Sequence, residues 1–292
     1  MSRSLSYPPF TYPIVSAAWL QAQLDQETPI VIFDCRFSLN QPEEGRSLYE
    51  VGHLPGAIYL DLNQDLSSPP SPECGRHPLP EVDQLAAKFA QCGVRFQETI
   101  VVAYDDSRLA FAARLWWLLR YLGHDRVVVL DGGLRAWQAL GYALTSDIPQ
   151  PQPEPFIPEV RSHSVIDRLS LKEALTQPGF TLVDAREAPR YRGETEPIDP
   201  VAGRIPGAIN ACWQAVTDDN GFVQPVDFHR GYWTSLLPEL AETEKTIGVY
   251  CGSGVTACVN LLSLALAGIA DAKLYPGSWS EWCHCETAIE RG

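Results

Sequence analysis

One short signature occurs twice in this chain, and its spacing restricts the fold more than any other feature. Ile32-Phe-Asp34-Cys-Arg36 is echoed by Phe180-Thr-Leu-Val-Asp184-Ala-Arg186. Gly52-His53-Leu-Pro-Gly56-Ala57 is echoed by Gly203-Arg204-Ile-Pro-Gly207-Ala208, and Val101-Val-Ala-Tyr104-Asp105 by Ile247-Gly-Val-Tyr250-Cys251. Gly132 with Trp137 returns as Gly277 with Trp282, and the four offsets are 150, 151, 146 and 145 residues. Offsets so similar describe two copies of one unit separated by small insertions and deletions.

Within each copy, apolar runs of strand length alternate with helical patterns. Strands are expected at Ile30–Arg36, Ile100–Tyr104, Val127–Leu130, Phe180–Arg186 and Thr246–Tyr250. Helices are expected near Ser16, at Leu85–Ala90, Phe111–Leu122 and Ala257–Leu266, the last ending near Gly268. This alternation predicts an α/β fold, with each copy a mainly parallel sheet flanked by helices on both faces. A Pro/Ser/Gly-rich loop runs from Ser67 to Pro80. Five prolines fall between Pro149 and Pro158, which reads as a linker with polyproline character. The expected organisation is a first domain at 1–145, a linker at 146–160 and a second domain at 161–292.

The copies differ where chemistry would sit. The second carries Cys251-Gly252-Ser253-Gly254-Val255-Thr256 between a strand and a helix, whereas the first carries Asp105-Asp106-Ser107-Arg108. Glycines let the loop curl, and the helix that follows presents unpaired N–H groups and a positive dipole end. Gly252, Ser253, Gly254, Val255 and Thr256 therefore form a candidate anion cradle, and the anion at its centre is the Cys251 thiolate. Such a setting lowers a thiol pKa and makes the sulfur a nucleophile near neutral pH. The opposing reading of the loop alone is a buried, inert structural cysteine. The first copy lacks both the nucleophile and the loop glycines, and its two carboxylates would repel an anionic substrate. One domain is thus expected to do chemistry and the other to support it.

Composition narrows the partners. A net charge of −14 and a pI near 4.8 argue against nucleic acid or an anionic membrane surface. Hydrophobic residues make up 45% of the 292, enough for two cores. The eight cysteines are scattered rather than dense, which favours reduced thiols and a cytoplasmic location. No apolar leader is visible in Met1–Pro9. The apolar stretch Ala257–Ala270 is shorter than the roughly 20 residues that span a bilayer.

Taken together, Asp34-Cys-Arg36, Gly52-His53-Leu-Pro-Gly56-Ala57, Asp184-Ala-Arg186, Arg190-Tyr191-Arg192-Gly193, Ile205-Pro-Gly207-Ala208 and the Cys251 loop make the chain resemble the two-domain rhodanese-like sulfurtransferases. Members act on thiosulfate or 3-mercaptopyruvate. The resemblance implies a ping-pong transfer in which Cys251 holds the donor's sulfur as a persulfide. An acceptor such as a thiol, thioredoxin or cyanide then removes it, with no metal or cofactor. Arg190 matches the family's substrate-binding arginine, Arg192 lies beside it, and a guanidinium suits a carboxylate or sulfonate. The neutral Gly252-Ser253 loop resembles the mercaptopyruvate type, where Ser253 would bond the keto acid and His53 is the candidate relay partner. His53 has a plainer reading as a histidine bonded to backbone. Two departures stand out: Glu196-Pro-Ile-Asp199-Pro carries no arginine where the mercaptopyruvate enzymes often have a second one, and Arg204 replaces the usual histidine of the second Gly-His-Ile-Pro-Gly-Ala.

The rival readings are weaker. A cysteine phosphatase needs Cys-x5-Arg, and that place holds Ala257. Cys283-His284-Cys285 lacks zinc-site spacing and reads as surface or redox-incidental. A persulfide carrier that docks a protein partner, with little steady turnover, is a further alternative, as is thiosulfate:cyanide transfer.

Overall fold

The computed structural model describes residues 12–238, 246–285 and 287–292; Met1–Pro9, the stretch that shows no apolar leader, lies outside them. Two compact units emerge. One takes the chain up to Leu66 together with Pro80–Arg161, and the other takes Ser67–Leu79 together with Ser162 onward.

In the first unit the order is β1 (Ile14–Val15), α1 (Ala17–Asp25), β2 (Ile30–Asp34), α2 (Glu44–Val51), β3 (Ala57–Tyr59), α3 (Val82–Gln91), β4 (Ile100–Tyr104), α4 (Ala112–Tyr121), β5 (Val127–Leu130) and α5 (Gly133–Ala139). Ser16 caps α1 through its hydroxyl, 3.1 Å from the Trp19 amide. The sheet order is β1-β5-β4-β2-β3 with every pair parallel. All five residues of β4 are buried, as a central parallel strand requires.

The second unit contains α6 (Arg168–Ala174), β6 (Phe180–Asp184), α7 (Ala188–Tyr191), β7 (Ile209–Asn210), α8 (Val226–Leu236), β8 (Thr246–Tyr250), α9 (Ala257–Leu266), β9 (Lys273–Leu274) and α10 (Ser278–Trp282). Its sheet, β7-β6-β8-β9, is again parallel and repeats the order β3-β2-β4-β5. A parallel bridge from Val165 to Leu274 stands where β1 joins β5 in the first unit. Among the described residues no helix is long and apolar enough to cross a membrane.

The repeated Asp-x-Arg signature is a buried ion pair that locks the start of each βα connection. Arg36 binds both Asp34 oxygens and donates to the Gly52 carbonyl at 2.8 Å. Arg186 does the same with Asp184 and the Gly203 carbonyl at 2.7 Å. The Gly-x-x-Pro-Gly-Ala turn is thus tied to the end of β2 or β6, so the two motifs recur together. Both pairs are almost wholly buried and multiply hydrogen-bonded, the condition under which a buried charge is tolerated.

The structure departs from the expected organisation in two places. The proline-rich stretch is laid along the first unit rather than free: Phe96 and Glu159 amides bond Pro155 and Leu122 carbonyls, and buried Phe156 packs on Phe89, Phe96 and His124. Prolines lack amides to pair, so a few intervening residues and one aromatic anchor hold the segment. The Ser67–Leu79 loop, read as part of the first domain, belongs to the second unit. Its Arg76 amide donates to Ser280 Oγ at 3.0 Å, and Gly75 sits at φ +84° so close to α10 that a Cβ would lie 2.6 Å from the Gly277 carbonyl. Only glycine fits that approach.

Candidate active site

Cys251 follows the last residue of β8, and α9 begins six residues later. The chain between them must turn from strand to helix in a tight arc. Gly254 takes φ +75°, and a Cβ there would strike the Pro276 carbonyl at 2.5 Å, so the loop cannot close with another residue. Among the described residues, the amides of Gly252, Ser253, Val255 and Thr256 donate to no protein acceptor, while Cys251 and Ser253 are almost fully buried. A buried loop with unspent N–H groups is built to receive an acceptor from elsewhere.

The α10 segment fixes the cysteine from below. Ser278 Oγ accepts the Cys251 amide at 3.1 Å and donates to the Tyr275 carbonyl at 2.9 Å. The Trp279 and Ser280 amides bond the Cys251 and Gly252 carbonyls at 3.0 and 2.9 Å. Ser278 holds this position with φ +53°, a left-handed conformation that costs a serine about 1 kcal/mol or more. The first copy has Gly133 there, also at φ +53°.

Two guanidinium groups lie over the loop. A Cβ placed on Gly252 would be 2.9 Å from Arg76 Nη2, and 3.4 and 3.5 Å from Arg190 Nη2 and Nη1. Arg190 is carried by the short helix α7. It is oriented by Glu196 at 2.7 and 3.1 Å and lies 3.6 Å from Asp199 Oδ2. Arg76 pairs with Asp199 Oδ1. Glu196 also meets Arg186 at 3.2 Å, and Arg186 stacks its guanidinium 4.6 Å from the Trp279 ring. The arginine-free stretch noted in the sequence therefore supplies carboxylates that aim the arginines. On the other flank, Ser253 Oγ sits 2.7 Å from His77 Nδ1.

The corresponding loop of the first unit shows what this backbone holds. Asp105 occupies the place of Cys251 and is buried. Its carboxylate accepts from the amides of Ser107 and Leu109 on one oxygen, at 2.9 and 3.1 Å. The other oxygen accepts from Phe111 and Ala112, both at 2.9 Å. Burial raises its pKa, and the Ala112, Ser107 and Phe111 amides pull the other way. Asp105 is folded into its own cradle.

A family model described as the rhodanese-like domain matches residues 16–140 and again 167–285. The chain belongs to the rhodanese-like family. A probable 3-mercaptopyruvate sulfurtransferase of Pseudomonas aeruginosa is 46% identical over 272 residues, covering 92% of this chain and 94% of the relative. A putative thiosulfate sulfurtransferase, SseB of Mycobacterium tuberculosis, is 40% identical over 278 residues, with 92% and 93% covered. The crystal structure of SseA from Escherichia coli, described as a 3-mercaptopyruvate sulfotransferase, superposes with a TM-score of 0.79 at 31% identity. It covers 92% of this chain and 99% of that one.

Other residues singled out in this rhodanese-like chain have partners of their own. His53 is fully buried in the first unit, stacked on Tyr49, with its ring nitrogens 2.7 and 3.1 Å from the Tyr49 and Asp147 carbonyls. The histidine that the structure places on Ser253 is His77, which the sequence reading missed. Arg192, expected near the donor, is exposed and clasps Glu194 at 2.6 and 3.0 Å. Arg204 stacks over Tyr191, pairs with Glu290 and bonds the Gly292 carbonyl at 2.6 Å, fastening the last residues to the turn. Cys283 is buried, with its thiol pushed up to about 11 by burial, and His284 Nδ1 lies 2.7 Å from the Ser280 carbonyl. Among the described residues no group of three or more His, Cys, Asp or Glu gathers to hold a metal.

Arg76, His77, Glu196, Asp199 and Ser278 were not among the residues picked from the sequence. Arg76 and His77 lie in a proline-rich loop 174 or more residues from the cysteine, and no spacing rule links them. Glu196 and Asp199 were noticed only as the absence of an arginine. Ser278 had a signal: the repeat aligns it with Gly133, a glycine whose conformation a serine must copy.

Proposed function

We propose that this chain is a sulfurtransferase that takes the sulfur of 3-mercaptopyruvate onto Cys251 and passes it to a thiol acceptor. The observation that carries the reading is the carboxylate of Asp105, held on four amides at the position that Cys251 occupies in the second copy. A backbone that seats a carboxylate in one copy supports a thiolate, and then a persulfide anion, in the other.

In the first half-reaction the Cys251 thiolate forms an S–S bond to the donor sulfur as the bond from that sulfur to carbon breaks. The electron pair leaves on the three-carbon fragment as the enolate of pyruvate. The donor's thiol proton ends on that carbon, which leaves pyruvate and a persulfide anion. Ser253, hydrogen-bonded to His77, is suited to donate to the ketone oxygen where the enolate charge develops. In the second half-reaction a thiol takes the outer sulfur as its own persulfide, and the Cys251 thiolate is restored. Splitting the transfer this way replaces one difficult step by two easier ones.

Charge balance supports the keto acid over thiosulfate. Arg76, Arg186 and Arg190 are matched by Asp184, Glu196 and Asp199. A neutral cluster suits a monoanionic donor better than a reaction that releases sulfite as a dianion. Among the described residues none of the eight cysteines is in a disulfide, which fits a reducing, cytoplasmic setting and a dithiol protein such as thioredoxin as acceptor.

The test is mass spectrometry of the protein after exposure to 3-mercaptopyruvate, followed by initial rates with each donor. A gain of one sulfur on Cys251 alone, and faster turnover with mercaptopyruvate than with thiosulfate and cyanide, is the expected result. Loading on another cysteine overturns the site, and far faster turnover of thiosulfate overturns the donor.

A further inference from the structure

We infer that Arg76 is a donor-recognition residue whose guanidinium closes, with that of Arg190, on the carboxylate of the donor above Gly252. The inference rests on the reading of Cys251 as the sulfur carrier and adds to it the second cation that the 194–200 stretch lacks.

The geometry comes from one point in space. A single carbon placed on Gly252 lies within 3.5 Å of Nη2 of Arg76 and of both terminal nitrogens of Arg190. A small planar anion beside the residue that follows the nucleophile is therefore within hydrogen-bond reach of both guanidinium groups. Two forks on one carboxylate fix its orientation, which a single cation does not. They would hold the donor's carbonyl and its sulfur at a set distance from the cysteine.

Arg76 is also held ready for that task. Its amide is pinned to Ser280 Oγ at 3.0 Å, so the main chain stays in place whatever the side chain does. The next residue, His77, holds Ser253 at 2.7 Å. One dipeptide thus presents a cation and a hydroxyl's partner to the same loop. The Arg76 side chain keeps 27% of its surface exposed, more than the 14% of Arg190, so it lies on the solvent side of the pair. Asp199 sits between them: one oxygen pairs with Arg76, while the other, buried and without a hydrogen bond, lies 3.6 Å from Arg190. It spaces the two guanidinium groups and is the anion an incoming carboxylate would displace from Arg76.

The experiment measures initial rates on the full chain with 3-mercaptopyruvate as donor and a small thiol as acceptor, for wild type, Arg76→Ala and Arg76→Lys. Loss of one charge-assisted contact to the donor predicts a rise in donor KM of about 10- to 100-fold in Arg76→Ala. The acceptor KM and kcat should stay within about threefold, and Arg76→Lys should recover part of the donor KM. A general structural fault would instead move kcat and the acceptor KM as well, and that pattern overturns the inference. So does a donor KM in Arg76→Ala within twofold of wild type. Wild-type loading of one sulfur on Cys251 is the control that separates the two claims: with loading intact, an unchanged Arg76→Ala removes only the role of Arg76, while failure of wild type to load removes both.

Discussion

His77 Nδ1 and Ser253 Oγ stand 2.7 Å apart although 176 residues separate them in the chain. Both are buried, so the bond is made away from competing water. The pair gives the loop beside Cys251 a polarised hydroxyl, suited to a substrate that develops charge on a carbonyl oxygen.

The donor preference should follow that bond. Thiosulfate has no ketone, so His77→Ala is expected to lower kcat/KM for 3-mercaptopyruvate by about 10- to 100-fold, with a clearly smaller loss on thiosulfate. Parallel steady-state assays on both donors decide it. Equal losses on the two would mean that His77 only supports the loop.

Cys251→Asp tests the cradle itself. If the amides around residue 251 gather as those around Asp105 do, the new carboxylate will be fully bonded. The variant should then be inactive yet melt within a few degrees of wild type at pH 7. A carboxylate buried there without donors would cost several kcal/mol, enough to lower Tm by 10 °C or more on the order of domain values. Thermal denaturation of the purified variant distinguishes the two outcomes.

Ser278 carries opposing contributions. Ser278→Gly relieves the left-handed strain at φ +53° but leaves the Cys251 amide without its acceptor. Ser278→Ala keeps the strain and loses the bond, and should be the less stable variant by about 1 kcal/mol. Urea unfolding of the two proteins gives the difference; equal midpoints with equal slopes would remove the strain from the account.

The first unit should be sensitive to acid through His124. Its ring accepts the Gln97 amide at 3.0 Å, lies 3.0 Å from the Thr99 carbonyl and packs on Phe156 of the proline-rich stretch. Burial pushes its pKa down to about 4, and His229 in the second unit is shifted the same way. A histidine lowered on folding is favoured in its neutral form. Its contribution is complete above about pH 6.5 and is lost as the pH falls toward 4, which amounts to about 2–3 kcal/mol by pH 4.5. Tm measured from pH 7 to 4.5 should fall less steeply in His124→Gln, whose amide can both accept and donate at that place. Identical slopes would show that other groups set the acid limit.

Much of the architecture was readable because it rests on local pattern. The strands Ile100–Tyr104, Val127–Leu130 and Thr246–Tyr250, and the helix Ala257–Leu266, sit on the residues where apolar period and flanking glycines put them. Periodicity works there because burial in a parallel sheet needs continuous apolar runs. The tight loop between Tyr250 and Ala257 was also legible, since its glycines mark the turn from strand to helix. What surrounds the loop was not. Arg76 and His77 reach it through a segment with no periodic pattern, and Asp199 and Ser278 act through a charge pair and a backbone angle that spacing does not encode. His53 carried two readings, and the structure shows the backbone bonds of the plainer one.

The Ser67–Leu79 excursion has an evolutionary reading. Duplicated modules usually remain separable, since each half carries everything it needs. In this protein a strip of the first copy's sequence is built into the second unit and brings along the arginine and imidazole that flank the Cys251 loop. A fragment cut at the proline stretch would keep Cys251 and lose both companions of its loop, so the two halves of the sequence are needed together to build that one place.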